Sequence, residues 1–352
     1  MATSKPDRIL IRSANWIGDA IVTTPAIRAL RRKFPRTRLA LMCRPWVAPI
    51  FEHNPDIDEV VCRDDKFLGS GFLPVVRSIR RGRFDLGVLF PNSFGSALAL
   101  WAGGVKKRVG YATDGRRFLL TDPVPVTAEI LKVHMVEYYL NILRDLLDVE
   151  KAGKTLVLHA GAKERAEVAI RLSEHGIQPD DRLIGVNPGS TNGTAKRWLP
   201  ERYAALSGHL TREYGLKVVV TGSPAEAELG EQVARMAREP AVNLAGKLTL
   251  AQSIALMERL SLFITNDSGA MHVASAMGVR IVAVFGSTDW IRTPPWSDRA
   301  LLVRKPIACA PCMLRDCPHE HECMTAIEVS DVLEAVEKQL HAAGMLRSAE
   351  GK

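Results

Sequence analysis

Short apolar runs alternate with amphipathic helical segments along most of this 352-residue sequence, and the alternation occurs twice. Apolar strands that alternate with helices form parallel sheets covered by helices on both faces. The length of the chain also favours two domains. The predicted strands are Ile9–Arg12, Leu39–Met42, Val60–Cys62, Leu86–Phe90, Leu183–Val186, Lys217–Thr221, Leu262–Thr265 and Arg280–Phe285. The pattern therefore predicts an α/β protein with two doubly wound domains, joined between residues 151 and 181.

The positive charge of the chain is concentrated in its first half. Residues 1–150 hold 23 Lys and Arg against 16 Asp and Glu, whereas residues 151–352 hold 24 against 23. Such an excess attracts phosphates, nucleic acid or an anionic membrane, although the same clusters also occur on solvated helix faces. The clusters are Arg28/Arg31/Arg32/Lys33/Arg36/Arg38, Arg77/Arg80/Arg81/Arg83 and Lys106/Lys107/Arg108.

No apolar run approaches the roughly 20 residues that a membrane-spanning helix needs. The N-terminus also lacks the apolar centre of a signal peptide. The sequence therefore predicts a cytoplasmic protein, with peripheral contact to the inner face of the membrane left open.

Two polar segments follow predicted strands of the second half. One is 187–198, NPGSTNGTAKRW, and the other is 266–272, NDSGAMH. Each supplies glycine and hydroxyl groups where a helix is expected to begin, and the free N–H groups of a helix start favour anions. Lys196 adds a positive charge. Together the two segments predict a site for a nucleotide diphosphate.

A third polar segment, 13–19, SANWIGD, follows the first predicted strand. Asp19 is either a helix cap or a carboxylate at a ligand site. Thr24 and Pro25 compete for the capping role, and the alternative is a helix that starts near Asp19 and bends at Pro25. As a general base, Asp19 would accept a proton from an attacking hydroxyl.

These three segments, in this order, resemble the ADP-heptose:lipopolysaccharide heptosyltransferases of glycosyltransferase family 9, and most of all their type II branch. The resemblance extends from residue 8 to about residue 340. It implies the GT-B fold, in which two Rossmann-like domains face each other across a cleft. The implied domains are an acceptor-binding domain, 1–175, with a C-terminal helix at 329–343 that packs back on it, and an ADP-heptose-binding domain, 176–328.

The resemblance also implies the reaction. Heptose moves from ADP-L-glycero-β-D-manno-heptose to the lipid A–Kdo–heptose acceptor of the lipopolysaccharide inner core, with inversion at the anomeric carbon. Asp19 matches the base of the family. Types I and III, which use other core acceptors, remain alternatives. A nucleotide-sugar epimerase and a non-catalytic nucleotide sensor are rivals that the Asp19 segment disfavours, and no nucleic acid partner is expected.

Donor contacts are assigned by the same resemblance. Lys196 and the nearby hydroxyls are expected at the phosphates, Asp267 near the donor sugar, and the amides of 268–270 at the diphosphate. Glu226 is expected at the ribose hydroxyls or is an ordinary first-turn glutamate, and Leu248 lies near the adenine or in the core. His272 supports the phosphates or is structural. The full set is Ser190, Thr191, Lys196, Glu226, Leu248, Asp267, Ser268, Gly269, Ala270 and His272.

Four cysteines fall within fifteen residues, at Cys309, Cys312, Cys317 and Cys323, with His319 and His321 between them. This spacing is compatible with structural zinc, with free thiols or with redox pairing. No catalytic metal and no cofactor are expected, because Lys196 and helix amides can serve the diphosphate.

Overall fold

A computed structural model describes residues 5–63 and 71–346. Contacts divide the chain into two compact units, Met1–Leu158 and His159–Lys352. None of the described helices has the length and apolar character that crossing a membrane requires.

Among the described residues, the first unit contains a six-stranded parallel sheet with the strand order β3-β2-β1-β4-β5-β6. In β1, Ile9, Leu10 and Ile11 are all fully buried, so both faces of this central strand are covered. The strands are β1 (Arg8–Arg12), β2 (Arg38–Cys43), β3 (Glu59–Cys62), β4 (Leu86–Leu89), β5 (Lys107–Tyr111) and β6 (Asp122–Val124). The helices are α1 (Ile17–Val22), α2 (Thr24–Lys33), α3 (Phe72–Gly82), α4 (Phe94–Ala102) and α5 (Met135–Asn141).

The second unit repeats this plan, with a six-stranded parallel sheet in the order β12-β11-β10-β7-β8-β9. Its strands are β7 (Leu183–Asn187), β8 (Lys217–Val220), β9 (Ala241–Asn243), β10 (Leu260–Asn266), β11 (Arg280–Val284) and β12 (Ala300–Val303). Its helices are α6 (Ala162–Glu174), α7 (Pro200–Tyr214), α8 (Ala227–Met236), α9 (Leu250–Met257), α10 (Gly269–Ala276), α11 (Glu322–Thr325) and α12 (Val329–Ala342). Both sheets have the doubly wound order, which confirms the predicted fold class.

The boundary between the units differs from the predicted one at 175/176. Helix α6 belongs to the second unit, because it packs against α9 and Arg165 forms a two-pronged ion pair with Glu258, with N···O distances of 2.6 and 2.8 Å. The amphipathic pattern of this helix fixes which face is buried but does not specify the partner.

The C-terminal helix also lies elsewhere than predicted. The sequence analysis assigns 329–343 to the first domain, whereas α12 is part of the second unit and packs on β11, β12 and α7. Its buried side chains, Val332, Val336 and Leu340, join the apolar core that contains Trp198.

Candidate active site

The loops that follow β7, β8 and β10 meet at one edge of the second sheet, because these strands are neighbours and all parallel. The chain leaves β7 in one direction for β8 and β9 and in the other for β10 to β12. Ligands of doubly wound sheets bind at such a switch point, beyond the carboxyl ends of the strands. The two polar segments of the second half therefore lie together at the edge where sheets of this kind bind their ligands.

Asn266, the last residue of β10, fixes the 188–198 segment at this edge. Its Nδ2 donates to the carbonyl oxygens of Pro188 and Gly189 at 2.9 and 3.2 Å. Its Oδ1 accepts from the backbone N–H of Trp198 at 3.0 Å. The side chain is fully buried, so both ends of the segment are tied to the core. This role of Asn266 was not predicted from the sequence, although its position at the end of a predicted strand could have indicated it.

Lys196 and Asp267, 71 residues apart in the sequence, form an ion pair. Lys196 Nζ lies 3.2 Å from Asp267 Oδ2, and the two side chains are 19% and 6% exposed. Thr293 Oγ1 donates to the same carboxylate oxygen at 3.4 Å. The carboxylate holds the lysine side chain in place, and the ammonium can still stabilise negative charge that arrives from the solvent side.

Glu226 uses its two carboxylate oxygens differently. Oε2 accepts from the backbone N–H and the hydroxyl of Ser223, both at 2.7 Å, and so caps the short 3₁₀ helix Pro224–Glu226. Oε1 is buried and has no hydrogen-bond partner among the described residues. A Cβ on Gly189 would lie 2.2 Å from Oε1, so only glycine permits this approach. Both readings of Glu226 are therefore compatible with the structure, because capping occupies one oxygen alone.

The start of α10 lies directly after β10. Ser268 is the N-cap, and its hydroxyl accepts from the backbone N–H of Met271 at 3.4 Å. Gly269 and Ala270 are half-buried at the first turn. His272 is buried on the same helix, with 7% exposure. This helix start lies next to Asp267, as the sequence analysis expects.

The remaining predicted donor residues lie in loops. Ser190 is 3% exposed, and its carbonyl oxygen accepts from Arg197 Nη2 at 3.0 Å. Thr191 beside it is exposed. Leu248 is half-buried between β9 and α9. Their ligand contacts stay predictions.

The cysteine-rich segment packs against the Lys196 loop, a contact that no local sequence pattern predicts. Ala195 donates its N–H to the carbonyl oxygen of Arg315 at 2.9 Å, and its own carbonyl oxygen lies 2.9 Å from His321 Nε2. Thr194 Oγ1 donates to Asp316 Oδ1 at 2.7 Å. The segment therefore braces the residue that immediately precedes Lys196.

Gly193 is the tightest point of this contact. Its φ is +99°, and a Cβ there would lie 2.1 Å from the carbonyl oxygen of Arg315. We expect Gly193→Ala to lower the free energy of unfolding by about 1–3 kcal/mol and to weaken ADP binding, because the loop must move. Denaturant unfolding and calorimetric titration with ADP measure the two effects.

Gly215→Ala is the matched control for this substitution. Gly215 has a φ of +64°, but nothing lies within 4 Å of its Cβ position. We expect this variant to lose only about 1 kcal/mol and to bind ADP normally. Equal ADP affinity in both variants would show that the contact between the cysteine-rich segment and residues 193–195 does not position Lys196.

All four clustered cysteines line one small cavity of about 40 Å³, together with His319 and His321. Burial, and after it the neighbouring thiols of Cys309, Cys312 and Cys317, raises the pKa of Cys323 to about 11. In the ranges 5–63 and 71–346, no three His, Cys, Asp or Glu side chains are arranged to hold a metal ion. The predicted structural zinc therefore stays a prediction.

The raised pKa predicts the order of thiol alkylation. A pKa raised to about 11 leaves Cys323 almost fully protonated near pH 8, and the thiolate is the nucleophile. We expect brief iodoacetamide treatment to modify the exposed Cys309 and Cys62 first and the two buried thiols, Cys323 and Cys43, last, because burial raises the pKa of Cys43 as well. Peptide mass spectrometry gives the order, and early labelling of Cys323 would contradict it.

In the first unit, Asp19 lies in the first turn of α1, directly after the carboxyl end of β1, and its side chain is half-buried. Helix α1 ends at Val22 and α2 begins at Thr24 with Pro25 in its first turn. One part of each alternative is therefore found, because a helix starts near Asp19 and Pro25 lies in the first turn of a second helix rather than at a bend within the first. Trp16 takes the N-cap position of α1, with no capping bond from its side chain.

Arg12 holds the segment between β1 and α1. This arginine is 3% exposed, and its Nη1 donates to the carbonyl oxygen of Ser13 at 2.9 Å. Its Nη2 donates to Asn15 Oδ1 at 3.2 Å. Trp46 Nε1 donates to the carbonyl oxygen of Asn15 at 2.8 Å. Arg12 and Trp46 therefore both hold the loop that leads from β1 to Asp19.

The model of glycosyltransferase family 9 (heptosyltransferase) matches residues 73–322. The chain belongs to this family. Lipopolysaccharide heptosyltransferase 2 of Escherichia coli K12 is 30% identical over 310 residues, which cover 84% of this chain and 88% of the relative. Its counterpart in Salmonella typhimurium is 31% identical over 311 residues, with the same coverage. Membership in family 9 makes this protein a glycosyltransferase and decides against the epimerase and the sensor.

Solved structures support the same assignment. The chain matches the structure of E. coli ADP-heptose LPS heptosyltransferase II with a TM-score of 0.81 and 27% identity, over 96% of this chain and 99% of that one. A family 9 glycosyltransferase from Veillonella parvula matches with a TM-score of 0.85 and 27% identity, over 96% and 97% of the two chains. This chain therefore has the GT-B fold.

Proposed function

We propose that this glycosyltransferase moves L-glycero-D-manno-heptose from ADP-heptose to the first heptose of the lipopolysaccharide inner core, with inversion. The observation that carries the proposal is the grouping of Lys196, Asp267 and the start of α10 at the switch point of the second unit. The similarity to proteins named heptosyltransferase 2 in E. coli, S. typhimurium and Campylobacter jejuni supports the acceptor.

The chemical step is a single displacement. Asp19 accepts the proton of the acceptor hydroxyl while that oxygen forms a bond to the anomeric carbon of the donor. The bond between this carbon and the phosphate oxygen breaks, and ADP leaves with the electron pair. Attack from the face opposite ADP inverts the anomeric centre.

Stabilisation of the departing diphosphate falls to the second unit. Lys196 supplies a cation, and the amides of Ser268, Gly269 and Ala270 supply the partial positive charge of a helix start. Ser190, Thr191 and His272 complete the phosphate contacts. Since a fixed cation and fixed dipoles already compensate the charge, we infer that no catalytic metal is needed. Adding Mg²⁺ to a metal-free assay should leave the rate unchanged, and a strict requirement would refute this inference.

Recognition of the nucleoside uses the two loops that flank this site. Glu226 Oε1 has spare acceptor capacity, which suits the two neighbouring hydroxyls of a ribose. An added hydrogen bond would also remove the cost of leaving this oxygen unpaired. Leu248, half-exposed in the next loop, offers an apolar contact to the adenine.

The choice of acceptor separates type II from types I and III. Incubation with ADP-heptose and a series of truncated inner cores, ending in Kdo, in the first heptose or in later sugars, tests it by mass spectrometry. We expect turnover with the core that ends in the first heptose. Preference for a Kdo-terminated core would assign the chain to type I instead.

We also propose peripheral attachment to the cytoplasmic face of the inner membrane, where such an acceptor is made available. The excess of basic residues in the first 150 positions supports an attraction to anionic lipid. Co-sedimentation with vesicles should increase with their anionic lipid content and decrease with salt. Sedimentation that does not depend on anionic lipid would rule the attachment out.

A further inference from the structure

A groove of about 590 Å³ opens in the first unit between α3 and the strands β2 and β3. Cavities of this volume are typical of small-molecule sites. One wall is a single face of α3, because Pro74, Arg77, Ser78 and Arg81 recur at helical spacing. The opposite wall is β3 with the residue that follows it, Arg63.

The charge of the lining is strongly positive. Among the described residues of the lining there are four arginines, Arg8, Arg63, Arg77 and Arg81, and one acidic residue, Glu59. Glu59 Oε2 is already ion-paired with Arg38 Nη2 at 2.9 Å. Neither Arg77 nor Arg81 has an ion pair within the described ranges, so several arginines are available to an anion.

Arg8 also lines the groove, and its guanidinium has an unused hydrogen-bond donor. Its guanidinium stacks on the ring of Phe84, with Cζ 5.4 Å from the ring centroid. Its Nε is buried and has no hydrogen-bond partner among the described residues. Buried donors are normally paired, which indicates that a ligand oxygen completes this site.

Leu10, Met42 and Phe84 give the groove an apolar part. Leu10 and Met42 are buried in the sheet, and Phe84 carries the stacked arginine. Several arginines beside apolar side chains match a phosphate group attached to a less polar body, because guanidinium forks bind phosphate oxygens in pairs. We propose that this groove binds a phosphate-bearing ligand.

The groove is separate from the region of Asp19. It lies beside α3, which packs with α4, whereas α1 packs with α2 and α5. The proposal therefore does not depend on the transfer reaction, and activity is not needed to test it.

Two probes separate the sources of the phosphate. Glycerol 3-phosphate, titrated by calorimetry, represents a soluble ligand. Phosphatidylcholine vesicles with and without phosphatidic acid, tested by co-sedimentation, represent a lipid headgroup. The groove variant is Arg77→Gln/Arg81→Gln. The matched control is Arg80→Gln/Arg83→Gln, which removes the same charge from the same end of α3 outside the groove lining.

We expect at least one probe to bind the wild type, and the groove variant to weaken that binding about tenfold or more. The control should remain within about twofold of the wild type. Ser78→Glu, which places a carboxylate in the groove and leaves every arginine intact, should weaken binding in the same way even if the double variant folds poorly. Absence of binding by both probes, or equal weakening by groove and control variants, would overturn the proposal.

Discussion

Replacing Asp19 by asparagine is expected to lower the turnover number for heptose transfer by about 10²–10⁴-fold while leaving the affinity for ADP unchanged. The carboxamide keeps the shape of the side chain but cannot accept the proton of the acceptor hydroxyl. The proposed donor contacts all lie in the second unit, so ADP binding has no reason to change.

Asp145→Asn is the control for this substitution. Asp145 is an exposed residue of the same unit and undergoes the same isosteric change. It should retain full activity. Rates from initial-velocity assays and ADP dissociation constants from calorimetry separate catalysis from binding, and wild-type turnover in Asp19→Asn would remove Asp19 from the mechanism.

Replacing Lys196 by alanine is expected to weaken ADP binding by about tenfold to a hundredfold and to lower turnover further. The lost cation no longer offsets the diphosphate. The carboxylate of Asp267, 6% exposed, would lose its ion-pair partner and repel the ligand. The unpaired carboxylate should also lower the free energy of unfolding by about 1–3 kcal/mol.

A second substitution distinguishes the two effects. Lys196→Ala/Asp267→Asn should recover part of the lost stability, because the buried charge is gone, but it should not recover turnover. Lys217→Ala, at the exposed start of β8, serves as the control with unchanged ADP affinity. An unaltered ADP dissociation constant in Lys196→Ala would reject the phosphate role.

The sequence predicted those strands that are continuous apolar runs. All eight predicted strands are present. Apart from β3, which lies at a sheet edge and is only half-buried, they are mostly buried, as Val, Ile and Leu in succession indicate. The strands β5, β6, β9 and β12 were not predicted. β5 begins with Lys107 and Arg108, and β6 has only three residues, one of them Pro123. Such strands lie towards the sheet edges, and their sequences contain too few successive apolar residues to be distinguished from the sequences of loops.

The proximity of some predicted site residues could be foreseen, whereas their ligand contacts stay predictions. Because Lys196 and Asp267 each follow a strand, their meeting at one sheet edge could be foreseen from topology. The roles of Asn266 and of the cysteine-rich segment depend on hydrogen bonds between distant parts of the chain, such as that of Ala195 to Arg315. Those pairings have no local pattern. The predicted join at residues 151–181 contains the observed boundary at 158/159, but the finer boundary at 175/176 leaves α6 in the wrong unit, because nothing in its local sequence specifies the helix that it packs against.

The product of a single incubation shows whether this protein is an inverting heptosyltransferase. The protein is mixed with ADP-L-glycero-β-D-manno-heptose and a core acceptor that ends in the first heptose, and the acceptor is analysed by mass spectrometry and NMR. We expect an acceptor heavier by one heptose residue, joined through an α linkage, with one ADP released for each transfer. A β-linked product, or ADP release with an acceptor of unchanged mass, would contradict it.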